Sequence, residues 1–96
     1  MVVNIAIPLD EDMTLCEVKE ATHWSLSVLE NSNIKESKRY KAYEDIEEIV
    51  DFVVVKDKSE DVDDFLDDGA NVLIAPFQKS VEDILEAYMF RELYQL

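Results

Sequence analysis

The chain has one glycine, two prolines, one cysteine and one histidine in 96 residues, and 9 basic residues against 23 acidic ones. Each scarcity closes a class of function. A phosphate-cradling loop needs several glycines so that backbone N–H groups can close on an anion, and one is too few. A single cysteine excludes an internal disulfide framework and suits a reducing compartment. With one histidine and no glycine-rich elbow, a serine triad would have to use His23; no nucleophile–base pair stands out, and the chain reads as a non-enzyme. A net charge of −14 repels nucleic-acid phosphates and anionic lipid. Nucleic acid and membrane surfaces are therefore not expected as partners, whereas cations and basic protein surfaces are. No apolar stretch approaches the roughly 18 residues of a membrane span. The opening residues MVVNIAIPLDED lack the basic start of a signal peptide. The expectation is a cytoplasmic protein forming a single α/β domain over residues 1–96.

What the chain does have is three short apolar runs rich in β-branched residues: 2–8 (VVNIAIP), 52–55 (FVVV) and 72–76 (VLIAP). Runs of this length followed by acidic segments read as strands buried on both faces of a sheet and linked by helices. Pro8 is expected to end the first of them. Trp24, Leu26 and Val28 alternate with His23, Ser25 and Ser27, a second strand with one wetter face. Asn31-Ser32-Asn33 is a turn, because Asn tolerates positive φ and Ser bonds locally. The charged stretch 34–41 then reads as an edge strand, where Lys38, Arg39 and Lys41 block pairing with another chain.

After this hairpin the spacing of Tyr43, Ile46, Ile49 and Val50 predicts a helix. Ser59 is expected to cap another, bearing Val62, Phe65 and Leu66 and stopped by Gly69. Ser80 and Asp83 have capping-box spacing for a last helix through Val81, Ile84, Leu85, Tyr88 and Met89, widened by Phe90, Leu93, Tyr94 and Leu96. With right-handed crossovers, the order is a five-stranded mixed sheet, 3-2-1-4-5, with strand 2 antiparallel and three helices. Phe90, Tyr94 and Leu96 then form a second apolar stripe, suited to a protein partner or a second copy of the chain.

Candidate ligands are few. Cys16 and His23 are the only thiol and imidazole, and a mononuclear site needs three or four groups. Were Cys16 in an exposed loop at the sheet's C-terminal edge, two chains would be able to share a cluster or metal. Asp10, Glu11 and Asp12 follow the first strand, and Asp57, Glu60 and Asp61 follow the fourth. If those strands are parallel neighbours, both acidic sets lie at one edge, where open α/β sheets bind ligands and where Asp10 and Asp57 would bridge a hard cation. A two-metal nuclease would use such acids, but the surrounding charge opposes a polyanionic substrate.

The element order is that of ribonuclease-H-like folds. Within them the chain resembles the dinitrogenase iron-molybdenum cofactor biosynthesis family. The matching residues are Ile5-Ala6-Ile7-Pro8 with Asp10, then Ala21 through Trp24 leading into the strand and its turn, Glu30-Asn31-Ser32-Asn33-Ile34. The run 72–75 and the stretch 81–87 look like the family's closing unit. The resemblance implies a small, non-catalytic cofactor carrier whose ligand is an iron–sulfur-type cluster, held near Cys16 and the loop to Ala21. Family members often carry His-Phe-Gly before the alanine, where this chain has Glu17-Val18-Lys19. They often carry a Gly/His/Cys-rich loop after the hairpin and a Gly-rich loop after the fourth strand. Here residues 38–45 and 56–61 contain none of these residues. The other reading on the same scaffold is a protein–protein interaction module that has lost metal binding, working through its C-terminal helix or hairpin edge.

Overall fold

The computed structural model describes all 96 residues. Six strands form one mixed sheet: β1 (Val2–Leu9), β2 (His23–Glu30), β3 (Asn33–Tyr40), β4 (Phe52–Val55), β5 (Asn71–Ile74) and β6 (Tyr94–Gln95). Their order is β3-β2-β1-β4-β5-β6. β1 pairs antiparallel with β2 and parallel with β4, β5 is parallel to β4, and β6 is antiparallel to β5. Two helices complete the fold, α1 (Asp63–Asp67) and α2 (Val81–Met89).

The period-two pattern of the strands sorts their side chains onto two faces. Ile5, Ile7, Leu9, Val54 and Leu73 meet Ile84 and Leu85 of α2. Ala6, Leu26, Val53, Val55 and Val72 meet Phe65 of α1 on the opposite face, together with Trp24. The central strands are thus buried on both sides, as their unbroken apolar runs require. β3 is the charged edge foreseen in the sequence, exposed along most of its length. A one-residue bulge at Lys35 shifts its register against β2. Asn31 (φ 53°) and Ser32 (φ 69°) make the tight turn between β2 and β3.

Four expectations need correction. First, Pro8 does not stop β1; it pairs with Trp24, and the parallel ladder to β4 covers only Ile5–Phe52 and Ala6–Val53. The missing N–H therefore withdraws no bond from that ladder. Second, residues 43–50 are not a helix. Only Tyr43–Asp45 makes a single 3-10 turn. Asn4 Nδ2 donates to the Ile49 carbonyl at 2.8 Å, and Glu48 accepts from Lys38 Nζ and Tyr40 Oη, each at 2.7 Å. Those two hydrogen bonds hold the Glu48 carboxyl down at about 2, against a slight opposing effect of burial. Five acids crowd residues 44–51, including the end where a helix dipole disfavours them. Ile49 is 82% exposed, so its helical spacing marks no buried stripe.

Third, α1 starts at Asp63 rather than after Ser59, because the segment before it is held open by Glu60, described below. Gly69 does end it, at φ 89°, with Gly69 N bonded to Leu66 O and Ala70 N to Phe65 O. Fourth, the last helix stops at Met89. Arg91 (φ 59°) takes the left-handed position usually given to glycine, Arg91 N bonds Tyr88 O, and Glu92 N bonds Ala87 O at 2.8 Å. The chain then turns back as β6, a sixth strand where helix was expected, leaving two helices and not three. The Ser80 cap is as expected: its Oγ accepts from Asp83 N at 3.1 Å.

Ser27 is fully buried in β2, and its hydroxyl has no hydrogen-bond partner. A desolvated, unpaired hydroxyl costs about 1–3 kcal/mol. Ser27→Ala is expected to raise unfolding stability by about 1 kcal/mol, read from urea denaturation; a loss of stability would refute it.

Candidate functional site

The chain leaves β1 toward β2 on one side, while β4, its parallel neighbour, continues to β5 on the other. Open α/β sheets hold ligands in the crevice outside such a switch point. In this chain the crevice is covered by its own loops. Residues 10–16 fold over the end of β1: Leu9 bridges to Leu15, Cys16 N donates to Pro8 O at 3.3 Å, and Leu15 N to Lys79 O at 2.8 Å. Glu60 fastens the other side. Its Oε2 accepts from Lys56 N and Asp57 N, each at 2.9 Å, and its Oε1 from Val18 N at 2.7 Å. One carboxylate thus joins the loop after β4 to the 3-10 turn Val18–Glu20. The sequence places Glu60 among the acids after the fourth strand and early in an expected helix, and neither position signals that its carboxylate closes on these three N–H groups.

The candidate ligands lie in these loops, each engaged locally. Asp10 Oδ1 accepts from Asp12 N (2.9 Å) and Thr14 N (3.0 Å), shaping its own turn. Asp57 Oδ1 accepts from Ser59 N at 2.8 Å, which lowers its carboxyl below the usual range. Cys16 is not in an exposed loop: it is 7% accessible. Burial raises its thiol to about 11, with further upward pushes from Asp10, Glu20 and Glu60 that outweigh Lys56. That is the reverse of the electropositive setting that makes a thiolate. His23 Nδ1 lies 2.9 Å from Thr22 Oγ1, and its Nε2 lies 2.9 Å from Met13 Sδ. The acids after β1 and β4 do sit at one rim, as the parallel pairing requires, but no three His, Cys, Asp or Glu side chains come together as a metal-ligand group.

Phe90, Tyr94 and Leu96 are 70%, 59% and 50% exposed. They do not share a helical stripe. Phe90 caps α2, while Tyr94 pairs with Ile74 and Leu96 N bonds Val72 O, placing both on the outer sheet edge.

A hollow of about 390 Å³ opens on the α1 face, between the start of β2, the turn at 41–44 and α1. Its floor is aromatic. Trp24, Tyr43 and Phe65 meet edge to face, with ring centroids 5.2 Å (Trp24–Tyr43), 5.9 Å (Trp24–Phe65) and 4.8 Å (Tyr43–Phe65) apart. Burial, and then Asp68, raise the Tyr43 phenol above its ordinary value. Its rim carries Glu44, Asp61, Asp64 and Asp68 against one base, Lys41. None of those four acids is within 4.0 Å of a basic group. The sequence signal was present in the acidic run 57–68, but nothing in it pointed to Trp24 as the floor.

No protein-family model matches the chain, and no curated protein matches it. Solved structures do share its fold. A candidate dinitrogenase from Methanocaldococcus jannaschii, solved at 1.70 Å, superposes with a TM-score of 0.82 at 14% identity, over 100% of this chain and 96% of its own. PH0822 superposes with a TM-score of 0.75 at 12% identity, over 98% of this chain and 96% of its own. At these identities the likeness establishes a shared α/β fold and nothing finer.

Proposed function

We propose that the chain is a non-catalytic protein-interaction module on a nitrogenase-accessory-type scaffold, and that it receives a basic segment of a partner protein. The observation that carries this reading is the acid-rimmed aromatic hollow. Four carboxylates without basic partners surround an apolar floor, in a chain of net charge −14. A lysine or arginine side chain brings the missing charge at its tip and an apolar stem for the rings. The cluster-carrier reading has less support, because the residues do not fit an iron–sulfur-type cluster. Cys16 is buried with a raised thiol, and His23, Asp10 and Asp57 are each committed to local bonds. Anaerobic reconstitution with iron and sulfide is expected to leave the protein colourless.

The test uses Trp24, the single tryptophan. Titration with a hexa-arginine peptide at low salt is expected to give a saturable fluorescence change. Neutralising Asp61, Asp64 and Asp68 together to Asn weakens it by about tenfold or more, since each lost charge pair near a partly desolvated site is worth about 0.5–1 kcal/mol. Neutralising Glu82, Asp83 and Glu86 on α2 makes the same change in net charge on the other face and leaves binding nearly intact. Equal weakening by both triple variants, or no saturation, defeats the proposal.

A further inference from the structure

The acid-rimmed hollow does not end at its aromatic floor. A second hollow of about 310 Å³ adjoins it, and the two share Tyr43, Glu44 and Asp68. Beyond this shared saddle the lining turns apolar: Ile46, Ile49 and Val50 form the walls, and Glu48 is the one further acid. Resting on the reading that the chain receives a basic segment, we propose that the segment is extended and carries an apolar side chain two residues from its lysine or arginine, and that the hollow beside Ile49 receives it.

Ile49 is 82% exposed, more than any other large apolar side chain except Met1. A lone apolar residue in water is ordinary, but this one is pinned there. Asn4 Nδ2 donates to Ile49 O at 2.8 Å. Two residues on, Asp51 N donates to Asn4 O at 2.9 Å and Asp51 Oδ2 accepts from Asn4 N at 2.8 Å. On the other side the Glu48 carboxylate is held by Lys38 and Tyr40. Ile46 and Val50 pack inward on the sheet. The strap is therefore fixed before and after Ile49, while the Ile49 side chain stands out beside a hollow. A surface ordered in advance loses less entropy when a partner covers it.

Charge fixes where the base sits. Glu44 and Asp68 line both hollows, and neither has a basic group within 4.0 Å. Glu48, on the far wall, is already neutralised by Lys38 at 2.7 Å. A cationic side chain is thus drawn to the saddle, between two free carboxylates and beside the Tyr43 ring. In an extended segment, residues two apart face the same way at a spacing of about 7 Å. A base at the saddle then presents its same-face neighbour to the apolar hollow. A second copy of this chain is a poor occupant, since it brings a net charge of −14 to an acidic rim.

Three capped peptides of equal charge test this, each titrated into the full chain at low salt and read by Trp24 fluorescence. They are Arg-Ser-Arg-Ser-Leu-Ser-Arg-Ser-Arg, the same peptide with serine for leucine, and Arg-Ser-Arg-Leu-Ser-Ser-Arg-Ser-Arg, which moves leucine to the opposite face. The first is expected to bind at least about fivefold tighter than the serine peptide, from burial of the leucine, and the third to match the serine peptide. Ile49→Ser removes the gain and leaves the serine peptide's affinity unchanged. Phe90→Ser, at the end of α2 on the other face of the sheet, keeps the gain. Equal affinity for the first and second peptides or for the first and third, a gain that survives Ile49→Ser, or one lost in Phe90→Ser overturns the inference. In each of those cases the basic-segment reading stands, because the peptides still bind. If none of the three binds, both fall. Sedimentation of the free chain is expected to show a monomer; a dimer that Ile49→Ser dissociates would put a second copy in the hollow and also overturn the inference.

Discussion

Trp24→Ala is expected to cost about 4 kcal/mol of unfolding stability, the middle of the range for truncating a buried Trp or Phe. The size follows from what the indole joins. Trp24 is 4% exposed at the start of β2 and stacks edge to face on both Tyr43 and Phe65. Tyr43 belongs to a single 3-10 turn and Phe65 to a five-residue helix. Neither element can hold its shape alone, since isolated helices shorter than about 12–15 residues are marginal in water. Truncation therefore leaves a cavity and also releases the two weakest elements of that face. A chain of this size has roughly 5–14 kcal/mol in total, so the melting temperature should fall by about 20 °C. Circular dichroism in urea is the proper readout, because the fluorophore is lost. Trp24→Phe, which keeps a ring, is expected to lose less than half as much. A loss below about 2 kcal/mol for the alanine variant, with amide exchange in α1 unchanged, would show that the triad does not tie this face together.

The contrast between α1 and α2 shows where the sequence speaks and where it is silent. Both helices end in the same pair of bonds, but Gly69 announces the first ending and Arg91 conceals the second. An arginine forced into positive φ carries no composition signal, so the apolar spacing after Met89 predicts more helix and hides β6. The buried strands were legible because burial on both faces writes a continuous β-branched run at 52–55 and 72–74. The edge strand was legible because its exposure writes charge. Residues 43–50 misled because helical spacing there comes from Tyr43, Ile46 and Val50 packing on the sheet as an extended strap, with Ile49 facing water. At the rim, residue types were readable and their engagements were not. The burial of Cys16 and the meeting of Met13 with His23 depend on how residues 10–16 fold back onto β1.

Glu60→Ala is the second large effect, and its two readouts pull on different properties of the carboxylate. Hydrogen bonds to a charged acceptor are worth about 1.5–3 kcal/mol each when shielded from water. Glu60 makes three, to Val18, Lys56 and Asp57, but it is only half-buried and water can replace part of what is lost. A total loss of about 2 kcal/mol is expected, or a fall of about 10 °C in melting temperature. Amide exchange should speed up at those three N–H groups and not in β4. Removing the charge also removes one of the groups that raise the Cys16 thiol from its ordinary 9.0 to about 11. A lowered pKa gives more thiolate at a given pH, and a loosened loop at 16–18 exposes it. Alkylation of Cys16 at pH 8 should therefore accelerate in Glu60→Ala. In Glu60→Gln the charge is gone but Oε1 can still accept from Val18 N, so alkylation should rise less and stability fall by about half as much. If Glu60→Ala keeps its stability within about 0.5 kcal/mol and the Val18, Lys56 and Asp57 amides stay protected, the crevice beside β1 and β4 is closed by something other than this carboxylate.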